Sequence, residues 1–305
     1  MRIFNKEERL NTSKKTINYF LSNEYNYYST KNVYPFTLNG VEYKSLYRRL
    51  NVQLLVTKKC PFNCPFCIEK VNPVGNEYRN EQKQLESLEK VLTTLKASGM
   101  EPTVSITGGE PTLCKDFLLK VADLLDRLDV RFNLNTSGMI TADKDKVIER
   151  FDRINLSVHS EDIEKNNSIF GVKRYDYWNN PIYKNATIQT VLTDNTLDSL
   201  IRFLNSFDQK RFSVRFPALT NADESLEWED LFYLINKDSH FEFVQQKIGD
   251  YYWFEEYKYN EKTIRFSFAS MKQLDYYKNI LKEKENFARA FVILPSGEIQ
   301  SDWIE

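Results

Sequence analysis

From residue 51 onward, short apolar runs alternate with longer amphipathic stretches. The runs VQLLV, VSIT, VRFNLN, INLSV, ATIQTVL and FSVRF begin at residues 52, 104, 130, 154, 186 and 212, and their β-branched and aromatic residues predict six strands. Apolar residues recur at three and four positions between them, which predicts helices at 80–98, 115–128, 143–151 and 196–207. Strands alternating with helices predict consecutive βαβ units and a parallel sheet with right-handed crossovers. The pattern therefore predicts an α/β fold whose core is a curved or closed barrel.

The segments on either side of this core show other patterns. Residues 1–50 predict a polar helix at 7–25 and a hairpin of strands 33–38 and 41–43, because Asn39-Gly40 supplies the positive φ angles of a two-residue turn. Residues 221–305 predict a helix at 224–237, a hairpin of DYYWFEEYKYN and KTIRFSF, a helix at 271–285 and a hairpin around Pro295-Ser296-Gly297. We therefore expect an N-terminal extension (1–50), a core barrel (51–220) and a C-terminal extension (221–305) packed on the barrel.

Composition places the chain among ordinary globular proteins. Its 305 residues are 41% hydrophobic and 28% charged, and 42 basic against 43 acidic side chains leave a net charge of -1. A nearly neutral chain has no overall positive field to attract nucleic acid or an anionic membrane. Apolar runs of about five or six residues are far shorter than the roughly 18 that span a bilayer, and the start MRIFNKEERL has no signal-peptide core. We expect a cytoplasmic protein without nucleic-acid or membrane partners.

Three of the four cysteines lie within eight residues of one another. Cys60, Cys64 and Cys67 follow the first predicted strand of the barrel, whereas Cys114 stands apart. This spacing is typical of a ligand set, and thiolates suit iron-sulfur clusters and zinc. Structural zinc sites are normally closed by four protein ligands, and no CxxC or HxxxH partner accompanies Cys114, so a four-iron cluster with one open iron is favoured over zinc. In α/β barrels the loops after the strands build the active site, which is where this cluster lies.

The cysteine spacing resembles the signature of the radical S-adenosylmethionine (radical SAM) superfamily, CxxxCxφC with an aromatic residue at φ. Cys60, Cys64, Phe66 and Cys67 match it at every position. The resemblance implies a partial (β/α)6 TIM-like barrel and an oxygen-sensitive [4Fe-4S] cluster whose open iron binds S-adenosylmethionine. One electron, delivered by an external donor such as flavodoxin or ferredoxin, then cleaves this cofactor to methionine and a 5′-deoxyadenosyl radical, which abstracts hydrogen from substrate. The cofactor carries the difficult chemistry and the protein positions it.

A second motif follows the second predicted strand. Gly108, Gly109, Glu110 and Pro111 resemble the superfamily's GGEP motif, and paired glycines allow the backbone to approach a ligand closely or to adopt positive φ. The resemblance implies that the loop backbone and Glu110 receive the methionine amino group of the cofactor. The two motifs stand in the right order, and the match covers about residues 51–220.

Further candidates lie on the later strands. Ser157 stands where the resemblance places a contact with the cofactor ribose. Asn155, Ser157 and His159 share one face of their strand, and the inward face of a barrel strand points toward the cofactor. His159 is interpreted either as a hydrogen-bonded structural histidine or as a substrate contact.

Polar residues also interrupt otherwise apolar strands at Asn135, Gln189 and Arg215. Buried polar groups need partners, so each binds a ligand or closes an internal network. For Arg215 we expect a carboxylate partner, either that of S-adenosylmethionine or that of Glu110.

Cys114 and the aromatic run 251–254 have alternative interpretations. A thiol near a substrate radical could return a hydrogen atom, but a buried cysteine usually behaves as an inert apolar residue, so we favour the second interpretation for Cys114. Tyr251-Tyr252-Trp253-Phe254 resembles a substrate cage, but alternating strand residues usually cover a core, which we favour here.

The substrate class rests on two absences. No cysteine follows Cys114, so no auxiliary cluster can be held there by thiolates, and about 50 residues before the core are too few for the winged-helix domain of some peptide-modifying relatives. Both favour a small polar metabolite such as a sugar, nucleoside or amino acid derivative, with the C-terminal extension as a wall of its pocket. The alternatives are a peptide-modifying radical enzyme and, in another class, a zinc-binding or electron-transfer protein.

Overall fold

The computed structural model describes residues 32–67, 78–138, 145–151, 153–173, 177–191, 196–215, 234–235, 237–248, 252–269 and 286–301. The helices predicted at 7–25 and 271–285, and most of the one predicted at 224–237, lie outside the described residues. In the described part of the chain, no helix is long and apolar enough to cross a membrane.

Mixed α/β structure with a mostly parallel sheet forms the core. Eleven of the described strands form one sheet in the order β13-β12-β3-β4-β5-β6-β7-β8-β11-β10-β9, and β1 pairs with β2 separately. The strands are β1 (Tyr34–Leu38), β2 (Val41–Ser45), β3 (Arg49–Leu55), β4 (Glu101–Thr107), β5 (Arg131–Thr136), β6 (Ile154–Ser157), β7 (Thr187–Val191), β8 (Arg211–Arg215), β9 (Phe241–Ile248), β10 (Tyr252–Tyr259), β11 (Lys262–Ala269), β12 (Ala290–Ile293) and β13 (Ile299–Gln300). Strands β3 to β8 are the six predicted ones, and all neighbours among them are parallel.

Side-chain hydrogen bonds help to fix where helices between the strands begin. These helices are α1 (Glu81–Ala97), α2 (Lys115–Arg127), α3 (Asp145–Ile148), α4 (Ile163–Phe170) and α5 (Leu197–Asn205). The Asn80 side chain accepts a hydrogen bond from the Lys83 amide at the start of α1, and Thr196 does the same for Ser199 at the start of α5. Such caps satisfy amides that have no partner within the helix. The helices predicted at 80–98, 115–128 and 196–207 are confirmed, whereas α4 was not predicted.

The two faces of the parallel sheet differ in polarity. Alternate strand residues such as Val52, Val104 and Leu156 are completely buried and belong to one apolar core with Leu88 and Leu92 of α1. Burying a side chain of this size stabilises a fold by about 1.5–3 kcal/mol. The residues between them point to the opposite, concave face and are half-buried and mostly polar. The sheet is therefore covered by helices on one side and open to polar contacts on the other.

The predicted C-terminal extension continues the sheet at both edges. The predicted hairpin forms as β10 and β11, with β11 parallel to β8, and the predicted final hairpin forms as β12 and β13, with β12 parallel to β3. Strand β9, which was not predicted, pairs with β10. The described part of this extension is thus joined to the barrel by backbone hydrogen bonds rather than only packed on it. The boundary at residue 220 stays a prediction.

Candidate active site

Two loops leave neighbouring strands at the carboxyl edge of the sheet. The cysteine loop, residues 56–67, follows β3, and the Gly-Gly-Glu loop, residues 107–114, follows β4. Because β3 and β4 are parallel and directly paired, both loops start side by side. The fold therefore brings the two sequence motifs together.

The three clustered cysteines fit an iron-sulfur cluster in their chemistry. No disulfide joins them; Cys60 is exposed, while Cys64 and Cys67 are half-buried. The Cys67 amide donates to the Cys64 carbonyl at 3.3 Å, which turns the loop at its last cysteine. Among the described residues, no group of three His, Cys, Asp or Glu is already gathered as a metal site. Accessible thiols on one short loop suit an incoming cluster, and the ligand set stays a prediction.

Aromatic residues between the cysteines dock the loop on α4 and on the end of β6. The rings of Phe62 and Phe170 meet edge to face at 5.2 Å, and those of Phe66 and His159 at 4.7 Å. His159 in turn contacts Phe170 at 5.1 Å, and the Asn63 amide donates to the Phe170 carbonyl at 2.7 Å. The loop is therefore anchored through residues that are not its cysteines. Sequence reasoning missed Phe62 and Phe170, although the repeated Cys-Pro-Phe of the loop was a signal for the first.

His159 is a buried histidine with fixed partners. Its Nδ1 accepts a hydrogen bond from the Val191 amide at 3.1 Å, and its own amide donates to Asn166 Oδ1 at 2.9 Å. Because a backbone amide can only donate, Nδ1 carries no proton, and in the neutral ring the proton is on Nε2. This geometry matches the interpretation of a hydrogen-bonded structural histidine, and a substrate contact stays a prediction.

The paired glycines of the second loop are required by the first loop. A Cβ on Gly108, whose φ is +139°, would lie 2.5 Å from the Thr57 carbonyl oxygen, and a Cβ on Gly109 would lie 2.6 Å from the Lys59 carbonyl carbon. The Gly109 amide donates to the Thr57 carbonyl at 2.6 Å, and the Glu110 amide donates to the Lys59 carbonyl at 2.9 Å. The expected close approach is thus made by the cysteine loop itself.

The Glu110 carboxylate ties the Gly-Gly-Glu loop to the end of β5. It is completely buried, and Oε1 accepts hydrogen bonds from the Thr112 amide at 3.1 Å and from the hydroxyls of Thr112 and Thr136, both at 2.7 Å. Oε2 accepts from the Ser137 amide at 2.9 Å and from the Ser137 hydroxyl. Five donors thus surround the two oxygens. The predicted contact with a methionine amino group would have to share them, and it stays a prediction.

Of the polar strand residues, Asn135 belongs to a hydrogen-bond network, whereas Ser157 and Gln189 are half-buried. Asn135 Oδ1 accepts from Asn155 Nδ2 at 2.7 Å, so Asn135 closes an internal network. The side chains of Ser157 and Gln189 are half-buried on the same concave face. Their predicted contacts with the cofactor, and that of Asn135, stay predictions.

Arg215 lies exposed at the end of β8. The alternative in which Arg215 pairs with Glu110 is wrong, because the donors to Glu110 are Thr112, Thr136 and Ser137. A contact with the cofactor carboxylate stays a prediction.

Cys114 precedes α2 and packs against the core shared by the sheet and the helices. Burial raises the pKa of its thiol above the ordinary 9.0, against smaller lowering effects of Arg79, Lys59 and a hydrogen bond with Thr57. A thiol that burial keeps neutral matches the interpretation of an inert residue. A hydrogen-donor role stays a prediction.

Similarity to known proteins agrees with this geometry. A model of the Radical SAM superfamily matches residues 54–192. The GTP 3',8-cyclase of Mannheimia succiniciproducens is 28% identical over 199 residues, which are 60% of this chain and 57% of that protein. A probable GTP 3',8-cyclase of Archaeoglobus fulgidus is 26% identical over 172 residues, 52% of this chain and 56% of that protein.

One solved structure is similar over most of the chain. Streptococcus suis SuiB has a TM-score of 0.53 at 16% identity, over 83% of this chain and 60% of that one. At this identity the likeness shows the fold alone. The chain spans a little over half the length of the curated relatives it matches.

Proposed function

Because a model of the Radical SAM superfamily, whose members use a [4Fe-4S] cluster and S-adenosylmethionine, matches residues 54–192, we propose that this chain cleaves S-adenosylmethionine reductively and abstracts hydrogen from a small polar metabolite. The observation that carries the proposal is the direct joining of the two motif loops. Two backbone hydrogen bonds and two glycines hold the Gly-Gly-Glu loop against residues 57–59, immediately before Cys60. A simple electron carrier needs no such second loop beside its cluster.

Each part of the site has a proposed task. Cys60, Cys64 and Cys67 hold three irons, and the cluster, when bound, supplies the electron that splits S-adenosylmethionine. Phe62 and Phe66 keep the loop in place by their contacts with α4 and β6. The backbone of the Gly-Gly-Glu loop lies beside the proposed cluster and contacts the cofactor, and the hydrogen bonds of Glu110 fix the conformation of this loop.

The proposed partners are a one-electron donor, such as flavodoxin or ferredoxin, and a small-molecule substrate. The half-buried polar face of the sheet supports a metabolite that makes hydrogen bonds. The proposed compartment is the cytoplasm, where thiols stay reduced and available to iron. A peptide substrate is the alternative, and transfer of deuterium from a labelled peptide but from no labelled metabolite would favour it.

Anaerobic reconstitution tests the cofactor assignment. We expect about four irons and four sulfides per chain, as in a [4Fe-4S] centre. Cys64→Ala should lose the cluster, while the matched variant Cys114→Ala should keep it. Stoichiometric zinc without visible charge-transfer absorbance would contradict the assignment and favour a zinc-binding module.

Reduction of the reconstituted protein tests the activity. With dithionite and S-adenosylmethionine we expect 5′-deoxyadenosine to form slowly even without substrate. An intact cluster that yields none would count against an enzyme and favour an electron-transfer protein.

A further inference from the structure

The concave face of the sheet carries uncharged polar side chains where barrels usually carry branched apolar ones. We call five of them the polar layer, one from each strand from β3 to β7, and all five are half-buried: Gln53, Ser105, Asn133, Asn155 and Gln189. Gln53, Ser105 and Asn133 lie level with one another in the register of the sheet. Side chains of this kind do not pack into a water-free apolar core, because buried amides need hydrogen-bond partners.

The middle of the polar layer forms its own hydrogen bonds. Ser105 Oγ lies 3.1 Å from Asn51 Oδ1 and 3.1 Å from Asn133 Oδ1, and Asn155 Nδ2 donates to Asn135 Oδ1 at 2.7 Å. These contacts fix the orientation of the floor of the concave face before any ligand arrives.

The two ends of the polar layer are different. Among the described residues, the side-chain amides of Gln53 on β3 and Gln189 on β7 make no hydrogen bond to protein. Each amide offers two N–H donors and one acceptor oxygen. Two half-buried amides, four strands apart on a curved sheet, can therefore hold a ligand that lies across the floor between them.

Charge is absent from this part of the concave face. From β3 to β7, the described concave positions in the layer and beyond it toward the carboxyl edge are uncharged: Leu55, Thr107, Asn135, Ser157 and Val191 accompany the five residues of the layer. The arginines on the strands of this face lie outside that region. Arg49 and Arg131 stand at the opposite ends of β3 and β5. Arg211 and Arg215 lie on β8, where Arg215 is the residue predicted to meet the cofactor carboxylate, and Arg265 on β11 pairs with Glu256 at 3.4 Å.

A ligand with several negative charges would need cationic donors here. Phosphates are recognised by Arg and Lys, and a charge buried without a partner is strongly unfavourable. Neutral hydroxyl and amide groups match carboxamides in both directions, as donors and as acceptors. The composition of the floor thus favours an uncharged ligand over a nucleoside triphosphate.

We infer that the polar layer is the substrate floor and selects a neutral molecule with several hydroxyl or amide groups, held at its two ends by Gln53 and Gln189. The inference rests on the proposed function and narrows its substrate class. It also separates this chain from the substrate that the name of its GTP 3',8-cyclase relatives states.

Matched neutral and phosphorylated probes test this inference. Calorimetric binding to the reconstituted protein with S-adenosylmethionine would use guanosine against GTP, and glucose against glucose 6-phosphate. We expect at least one neutral probe to bind at least tenfold more tightly than its phosphorylated partner.

Gln53→Met and Gln189→Met remove the amide and keep the length of the side chain. Each should weaken binding of the neutral probe about tenfold, the effect of one lost hydrogen bond of about 1.4 kcal/mol. Should either methionine variant fail to fold, the shorter Gln53→Asn and Gln189→Asn take its place.

Gln82→Met is the matched control, because Gln82 is exposed on α1 and its side-chain amide donates to Glu86 on the same helix. The affinity of Gln82→Met for the neutral probe should stay within twofold of that of the unsubstituted protein. Binding of phosphorylated probes alone, or of no neutral probe, would overturn the inference. A loss of affinity for S-adenosylmethionine in Gln53→Met, with the neutral probe unaffected, would overturn it as well by assigning the layer to the cofactor. Formation of 5′-deoxyadenosine without substrate is measured separately, so failure of the proposed function is distinguished from failure of this inference.

Discussion

The cysteine loop and the Gly-Gly-Glu loop leave adjacent strands but are stabilised in opposite ways. The cysteine loop has half-buried or exposed thiols and is held from outside by ring contacts to Phe170 and His159. The Gly-Gly-Glu loop is held from inside by the buried Glu110 carboxylate and its five donors. The loop that must admit a cluster keeps its ligands accessible, and the neighbouring loop supplies a rigid surface against it.

The first prediction, which has the largest expected effect, separates the cysteine loop from the Gly-Gly-Glu loop. Gly109→Ala places a Cβ against the Lys59 backbone, which cannot move aside as a flexible side chain would. We therefore expect the unfolding free energy to fall by about 3 kcal/mol and the protein to lose its cluster. Chemical denaturation and iron analysis measure both effects.

Gly40→Ala is the control for this change, because Gly40 has a φ of +79° but open space around its Cβ position. Strain alone should cost about 1 kcal/mol there and leave iron binding intact. Equal effects of the two substitutions would contradict the close packing of the loops.

A second prediction removes the internal support of the Gly-Gly-Glu loop. Glu110→Gln replaces an acceptor oxygen with an N–H donor that faces other donors, so we expect a loss of about 2 kcal/mol in denaturation experiments. Glu86→Gln, on an exposed face of α1, should leave the transition midpoint unchanged. A stable Glu110→Gln protein would show that the network is dispensable.

A third prediction removes the external support of the cysteine loop. Phe170→Leu keeps an apolar side chain but loses ring contacts with Phe62 and His159, which should cost about 1 kcal/mol and speed tryptic cleavage at Lys58 and Lys59. Phe203→Leu loses comparable ring contacts with Phe207 and Phe212 in the core. It should lower stability similarly without changing cleavage of the loop; faster loop cleavage in both variants would remove the distinction.

The smallest expected effect concerns Cys114. Burial raises the pKa of its thiol in the folded state, so the unfolded chain releases this proton first and stability should fall as pH rises above about 9.0. Below that value the thiol is neutral in both states and contributes no pH dependence. In Cys114→Ala the fall in the midpoint of urea unfolding between pH 8 and pH 10 should be smaller than in the parent protein, and an identical fall would contradict the assignment.

Local patterns in the sequence were sufficient for most of the described fold. Strands β3 to β8 could be predicted because each buries β-branched or aromatic residues, and the Asn39-Gly40 turn because both residues take positive φ, 55° and 79°. Helix α4 could not, since Ile163–Phe170 has few apolar residues and depends on the Asp162 cap and on Gly171, whose φ is +71°, at its end. Local propensity is weak there and tertiary contacts decide.

The candidate site was predictable as motifs but not as contacts. The cysteines and glycines stand out by their spacing, whereas two of the three residues that donate to Glu110, Thr136 and Ser137, lie 26 and 27 residues away at the end of another strand. The contact of Phe170 with the cysteine loop could not be predicted either, because more than one hundred residues separate Phe170 from Phe62. Such contacts depend on strand order and register, which a single sequence does not state.

The pairing of β12 with β3 also bears on how the protein is made. More than two hundred residues separate Leu54 from its register partner Ile293, and β11 completes the other side of β8 only when residues 262–269 are available. During synthesis both outer strands of the six-stranded core emerge from the ribosome with unsatisfied edges, which can pair with other chains. Productive folding must therefore wait for late segments, and we expect nascent chains lacking residues 290–293 to bind chaperones and aggregate more readily than the finished protein.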